Sequence, residues 1–144
     1  MLVSEILRIK GTTLYTTPSD AAVVAAIKVM VQLDIGSLVV MDKGRMTGIV
    51  TFAEVLAALA EREGTLGALT IGDIVVRDPP TATPGLEVME LRRMMLERHA
   101  RYVPVLEGTT LLGVISFHDV AKAVYEDQSF ENRMLKRYIS DDHT

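Results

Sequence analysis

The chain has 144 residues, 49% of them hydrophobic, 24% charged and only 5% aromatic, with no Trp and no Cys. Without cysteine there is no disulfide, thiolate metal site, iron–sulfur cluster or cysteine nucleophile. A formal net charge of −4 sets up no basic field for nucleic acid or anionic lipid.

A chain of this length buries roughly 70% of its unfolded surface and needs no staples to fold. Residues 1–10 are amphipathic and lack the apolar run of a secretory signal. The most apolar window, residues 21–33, is too short to span a bilayer and contains Lys28 and Gln32. A soluble, cytoplasmic protein with no nucleic-acid or membrane partner is expected.

In chain order, Val-Ser-Glu-Ile-Leu at 3–7 reads as an opening helical turn. A short apolar strand at 14–16 ends at Thr17-Pro18, and proline favours extended geometry before it and a helix start after it. Val23, Ile27 and Met30 then recur at i, i+4 and i+7, on one helical face. Two β-rich runs, 37–41 and 46–50, flank the turn Asp42-Lys43-Gly44, and a second helix begins at Phe52. A connector with Gly64 and Gly67 follows.

The pattern then repeats. Ile-Gly-Asp-Ile-Val at 71–75 echoes 3–7, a strand at 81–83 ends at Thr83-Pro84, and Val88, Leu91 and Met95 mark a helix. Strands at 102–106 and 111–115 enclose Glu107-Gly108-Thr109, and a helix starts at Phe117. The stretch Gly48-Ile49-Val50-Thr51-Phe52-Ala53-Glu54-Val55 recurs 65 positions later as Gly113-Val114-Ile115-Ser116-Phe117-His118-Asp119-Val120. The spacing is 66 at Thr17-Pro18, so the first copy carries one extra residue near 19–22. The expected division is repeat 1 over 1–62, a connector over 63–70, repeat 2 over 71–128 and a helical tail over 129–144. In the tail, Phe130, Met134, Leu135 and Tyr138 fall at helical spacing.

Chemistry concentrates at Ser116-x-x-Asp119, where a strand runs into a helix. A carboxylate accepts hydrogen bonds from both hydroxyls of a ribose. The serine hydroxyl and the free amides of a helix N-terminus suit a phosphate. The same spacing is also a helix capping box, worth about 1 kcal/mol. Thr51-x-x-Glu54 is its counterpart, with a longer acid and a stronger capping signature. Arg101, with a guanidinium suited to bidentate grip of phosphate, precedes the fifth strand run, and His99 lies two residues before it. Pro104 within a strand run implies an edge or a bulge.

Other chemistry is excluded or weak. Ser116, His118 and Asp119 crowd one helical turn and do not form a triad. His99, His118 and His143 lack metal-ligand spacing. The eight methionines read as core filler, and Gly64-x-x-Gly67 lacks the strand–helix context of a phosphate loop.

The two copies resemble a pair of CBS domains, the cystathionine-β-synthase-type repeat that pairs into a Bateman module. The resemblance rests on Met30, 37–42 and 48–51, and on Met95, 101–105 and 113–119. The tail at 127–139 is similar to the ending of the small stand-alone two-repeat proteins of bacteria and plant organelles.

The resemblance implies an α/β (α+β) fold: two tandem β-α-β-β-α units with pseudo-twofold symmetry, plus a C-terminal helix. It also implies clefts between the repeats, homodimers that meet through helices, and an adenosyl ligand in place of a catalytic cofactor. That ligand would be AMP, ADP, ATP or NAD(H), with S-adenosylmethionine as a further candidate. The implied site comprises Asp119 on the ribose, Ser116 and Arg101 near the phosphate, Thr81, Ala82, Tyr102, Val103 and Pro104 around adenine, and His118. A second, weaker site would use Thr51, Glu54, Ser37 and Leu38. The expected function is a non-catalytic sensor that signals to an effector protein. The alternative is a nucleotide-independent interaction module in which both motifs serve only as caps.

Overall fold

A computed structural model describes residues 1–11 and 13–142. The elements are α1 (Val3–Lys10), β1 (Thr16–Thr17), α2 (Val23–Leu33), β2 (Ser37–Asp42), β3 (Arg45–Thr51), α3 (Phe52–Glu61), α4 (Ile71–Ile74), β4 (Val76–Arg77), α5 (Val88–Arg98), β5 (Tyr102–Glu107), β6 (Thr110–Ser116) and α6 (Phe117–Asp142). Both expected hairpins and the helices around them are present. Lys43 and Gly44 turn the first hairpin with φ of 52° and 76°, the left-handed pair that a two-residue turn requires.

One sheet has the order β1-β2-β3-β4, and β5-β6 form a second. The opening strand of each copy is shorter than expected. In the first copy only Thr16–Thr17 pair with β2, and in the second a single parallel bridge joins Ala82 to Val105. The β4 pairing against β3 has no precedent in the sequence pattern.

The hydrophobic core has two centres, one under each hairpin, and each takes its opening helix from the other copy. Val3 and Ile6 of α1 pack with Val88, Leu91, Met95, Val103 and Ile115 of the second copy. Ile71 of α4 packs with Val23, Met30, Leu38 and Val50 of the first. Backbone bonds fix the exchange: Val3 N–H donates to Leu86 O at 2.9 Å, and Ile71 N–H to Ala21 O at 2.9 Å. The two sequence copies are therefore interlocked.

Two glycines allow the crossing. A Cβ on Gly48 would fall on the Val76 carbonyl oxygen of β4, and a Cβ on Gly113 would meet Leu7 Cδ2 of α1 at 2.8 Å. A further tie sits at Asp42. Its carboxylate accepts from the Ser19 and Thr47 hydroxyls and, at 3.0 Å, from the Ser19 amide. These bonds, led by the Ser19 hydroxyl, lower its pKa to about 2. Ser19 O in turn accepts from Gly72 N–H at 2.8 Å, which links the first hairpin to α4.

The tail continues the last helix without a break, so α6 runs for 26 residues. Val120 and Ala123 are buried in the second core, whereas every described side chain from Tyr125 to Arg137 is exposed. The side chains of Phe130 and Tyr138, and all of His143, lie outside the described residues.

Gly48→Ala should lower stability by about 1–3 kcal/mol, because the new methyl meets backbone. Gly85→Ala, with nothing within 4 Å of the added carbon, should change it by no more than about 0.5 kcal/mol. Urea unfolding of the two variants checks the contrast.

Candidate functional site

The crossing opens two clefts between the copies, on either side of a shared wall. Each helix that follows a hairpin starts beside the residue preceding that hairpin. Phe117 N–H donates to Arg101 O at 2.8 Å, and Phe52 N–H to Gly36 O at 3.2 Å. The preceding helices α2 and α5 end at Asp34 and His99, both left-handed with φ of 52°. These reversals bring Gly36-Ser37 and Arg101-Tyr102 to the interface.

The wall is aromatic. Tyr102 and Phe52 meet edge to face, with centroids 6.3 Å apart and planes at 88°. The Arg101 guanidinium lies 5.6 Å from the Phe52 ring centroid, within cation–π range. Gly36 makes room for this arrangement, since a Cβ there would fall on the Tyr102 hydroxyl. Burial pushes the Tyr102 phenol up, against the lowering effect of Arg101.

The first cleft, about 580 Å³, lies between Ser116, Phe117 and His118 of the second copy and 13–15 and 35–37 of the first, with Lys10 at one side. The second, about 610 Å³, lies between Thr51 and Glu54 of the first copy and Pro79, Pro80 and 98–102 of the second. Arg101, Tyr102 and Phe52 line both.

Asp119 closes a capping box. Ser116 N–H donates to Asp119 Oδ2 at 2.9 Å, and Asp119 N–H donates to Ser116 Oγ at 3.0 Å. Lys10 Nζ adds an ion pair to the same Oδ2 at 2.7 Å. Burial raises the Asp119 pKa, but the bonds from Lys10 and Ser116 outweigh it and hold the carboxyl below the ordinary carboxylate range. Asp119 does not itself line the cleft. Lys10 and Ser116, both bonded to it, do. The acid therefore meets the crevice through its partners, not directly as expected. Thr51 and Glu54 form the equivalent box, with Thr51 N–H donating to Glu54 Oε1 at 2.8 Å and Thr51 Oγ1 accepting from Ala53 N–H at 3.2 Å.

The expected adenine residues need correction. Thr81, Ala82, Val103 and Pro104 line neither cleft. Ala82 and Val103 are core residues of the second copy, at 3% and 0% exposure. Pro104 is buried, and its carbonyl accepts from Ala82 N–H at 2.9 Å. Because each cleft is assembled crosswise, the entry segment beside Ser116 is 13–15 of the first copy. Ser37 likewise lines the Ser116 cleft and not the Thr51 cleft, and Leu38 is buried at 2% exposure. His99 joins Arg98 in the Thr51 cleft.

Sequence reasoning missed Lys10, Thr13, Leu14 and Tyr15. Their neighbours in the fold lie a hundred positions away, and no local motif marks them. Phe52 had a signal, because it recurs at the same motif position as Phe117.

Ser116→Ala should cost about 1 kcal/mol in urea unfolding without ligand. NMR titration should place the Asp119 midpoint below the ordinary 3.8. The stability that this carboxylate contributes is then complete above the unfolded pKa and is lost as pH falls through the folded value.

A family model for the CBS domain matches residues 3–61 and 71–126. The mitochondrial CBS domain-containing protein CBSX3 of Arabidopsis thaliana is 28% identical over 147 residues, covering 95% of this chain and 71% of that protein. A solved signal-transduction protein with CBS domains from Burkholderia ambifaria superimposes with a TM-score of 0.83 at 32% identity, covering 89% of this chain and 96% of that one. The CBS domain pair of protein MJ0100, solved with 5′-methylthioadenosine and S-adenosyl-L-methionine, has a TM-score of 0.76 at 25% identity, over 86% of this chain and 99% of that one. With two matched repeats filling most of its length and both clefts between them, the chain belongs to the CBS-domain family as a CBS pair.

Proposed function

We propose that this CBS pair is a non-catalytic sensor of adenosyl nucleotides, with the ribose held by Asp119 in the Ser116 cleft. The observation that carries this reading is the cleft itself. It is large enough for a nucleoside, bounded by a helix N-terminus, and placed beside a carboxylate kept ionised. Lys10 and Ser116, both bonded to the carboxylate, line the cleft, and a ribose diol reaches Asp119 when the half-exposed lysine swings aside.

The apolar faces of Phe52, Tyr102, Leu14 and Tyr15 suit an adenine ring, and Ser116 and Arg101 suit a phosphate. AMP, ADP, ATP and NAD(H) are the proposed ligands, alongside S-adenosylmethionine. The ligands of two structural neighbours support the class: the MJ0100 pair was solved with methylthioadenosine and S-adenosylmethionine, and CBSX2, which shares the fold, with AMP. Signalling requires a ligand that binds two arrangements of the module unequally, and an effector protein that reads the difference. The proposed setting is the cytoplasm. No described helix is long and apolar enough to cross a membrane.

The proposed assembly is a homodimer. Val24 and Val31 on α2, Leu56 on α3, and Met89 and Leu96 on α5 are 42%, 75%, 60%, 54% and 53% exposed, respectively. Large apolar side chains left exposed on helices are candidates for an association surface. A second reading, an interaction module that needs no nucleotide, draws on the capping boxes, because both acids already serve the backbone.

Thermal unfolding with AMP, ADP, ATP, NAD and S-adenosylmethionine separates the two. A ligand at a hundred times its Kd adds about 2.7 kcal/mol, and Asp119→Ala should abolish that gain. If no adenosyl compound shifts the transition, the interaction module stands instead. In sedimentation, Val31→Glu combined with Leu96→Glu should weaken the dimer by at least about tenfold, since a charge then replaces apolar contact at the association surface.

A further inference from the structure

The Ser116 cleft holds a cation that no motif announces. Lys10 is the last residue of α1, and that helix is fixed by Val3 and Ile6 in the second core. Its ammonium lies 2.7 Å from Asp119 Oδ2 and 2.7 Å from the Val114 carbonyl. The lysine side chain is 42% exposed, so its stem can swing while the helix stays in place.

Asp119 Oδ2 already accepts from Lys10 and from the Ser116 amide. A sugar diol that takes both carboxylate oxygens therefore competes with the ammonium for Oδ2. A neutral ligand displaces the lysine and offers it no anion in return. A ligand with a phosphate offers one at once, and an ammonium with three donors exchanges one charged partner for another. A ligand with a positive sulfonium meets two cations, because Arg101 also lines this cleft. Asp34 is the carboxylate among its lining residues.

We propose that Lys10 sets the ligand class of the Ser116 cleft, favouring phosphorylated adenosine compounds over neutral and sulfonium-bearing ones. This rests on the reading that Asp119 holds the ribose. Lys10 is thus a specificity residue supplied by the far end of the sequence, and the ion pair it makes with Asp119 is the toll on an uncharged ligand.

The test is calorimetric titration of the full chain with AMP and with 5′-methylthioadenosine, for wild type, Lys10→Met and Lys10→Arg. Wild type should bind AMP more tightly. Lys10→Met should narrow the preference by about tenfold, the size of one charge-assisted hydrogen bond, through tighter methylthioadenosine and weaker AMP. Lys10→Arg should keep the preference. Should Lys10→Met fold poorly by circular dichroism, Lys10→Gln replaces it. An unchanged preference in the neutral variant, with both ligands still bound and Asp119→Ala still inactive, overturns the role of Lys10 and leaves the ribose reading standing. Binding of neither ligand to wild type, or undiminished binding to Asp119→Ala, removes the ribose reading and the proposal with it.

Discussion

The structure depends on the reciprocal insertion of opening helices. α1 completes the core beneath β5-β6, and α4 completes the one beneath β2-β3. A hairpin with one covering helix leaves apolar surface in water, and roughly 25 cal/mol per Å² is gained when a borrowed helix removes it. The exchange also places the chain between each opening helix and the first strand of its copy along the other hairpin. Residues 13–15 then line the Ser116 cleft, and Pro79-Pro80 the Thr51 cleft. Both clefts are products of the exchange.

The duplication is exact enough to build two clefts and inexact where it matters for what they hold. Gly36 and Ser37 in the first copy stand where Arg101 and Tyr102 stand in the second. The small pair leaves a gap, the large pair fills it, and Phe52 receives both the tyrosine edge and the guanidinium. The wall between the clefts is therefore asymmetric, with Arg101 and Tyr102 of the second copy closing on Phe52 of the first. The acids differ too. Glu54 is absorbed in its capping box, whereas Asp119 has an additional partner in Lys10.

The local elements were legible because their signals are local. Apolar spacing at Val88, Leu91 and Met95 marks a helix with those residues inward, and all three are buried. Lys43-Gly44 and Gly108 mark the hairpin turns. The box at Ser116 and Asp119 is also present as spaced. What the sequence does not carry is which copy faces which. Repeat symmetry is satisfied equally by clefts closed within a copy or across copies, and the resemblance alone reads Ala82 and Val103 as lining a slot, whereas both belong to a core. Lys10 was invisible for the same reason, as its partner is 109 positions away. The short β4 escaped because two residues with no alternation give no periodic signal.

One geometric consequence concerns α6. The helix is seated at the cleft by the bonds between Ser116 and Asp119, buried as far as Ala123, and surrounded by solvent at its described side chains beyond Val124. At the standard rise its 26 residues make a rod about 39 Å long. A pivot of about 5° at the seat sweeps its far end through about 3 Å. Length alone would thus amplify a small change of angle at the seat, as by a pointer on a dial, into a displacement comparable to a side-chain contact distance.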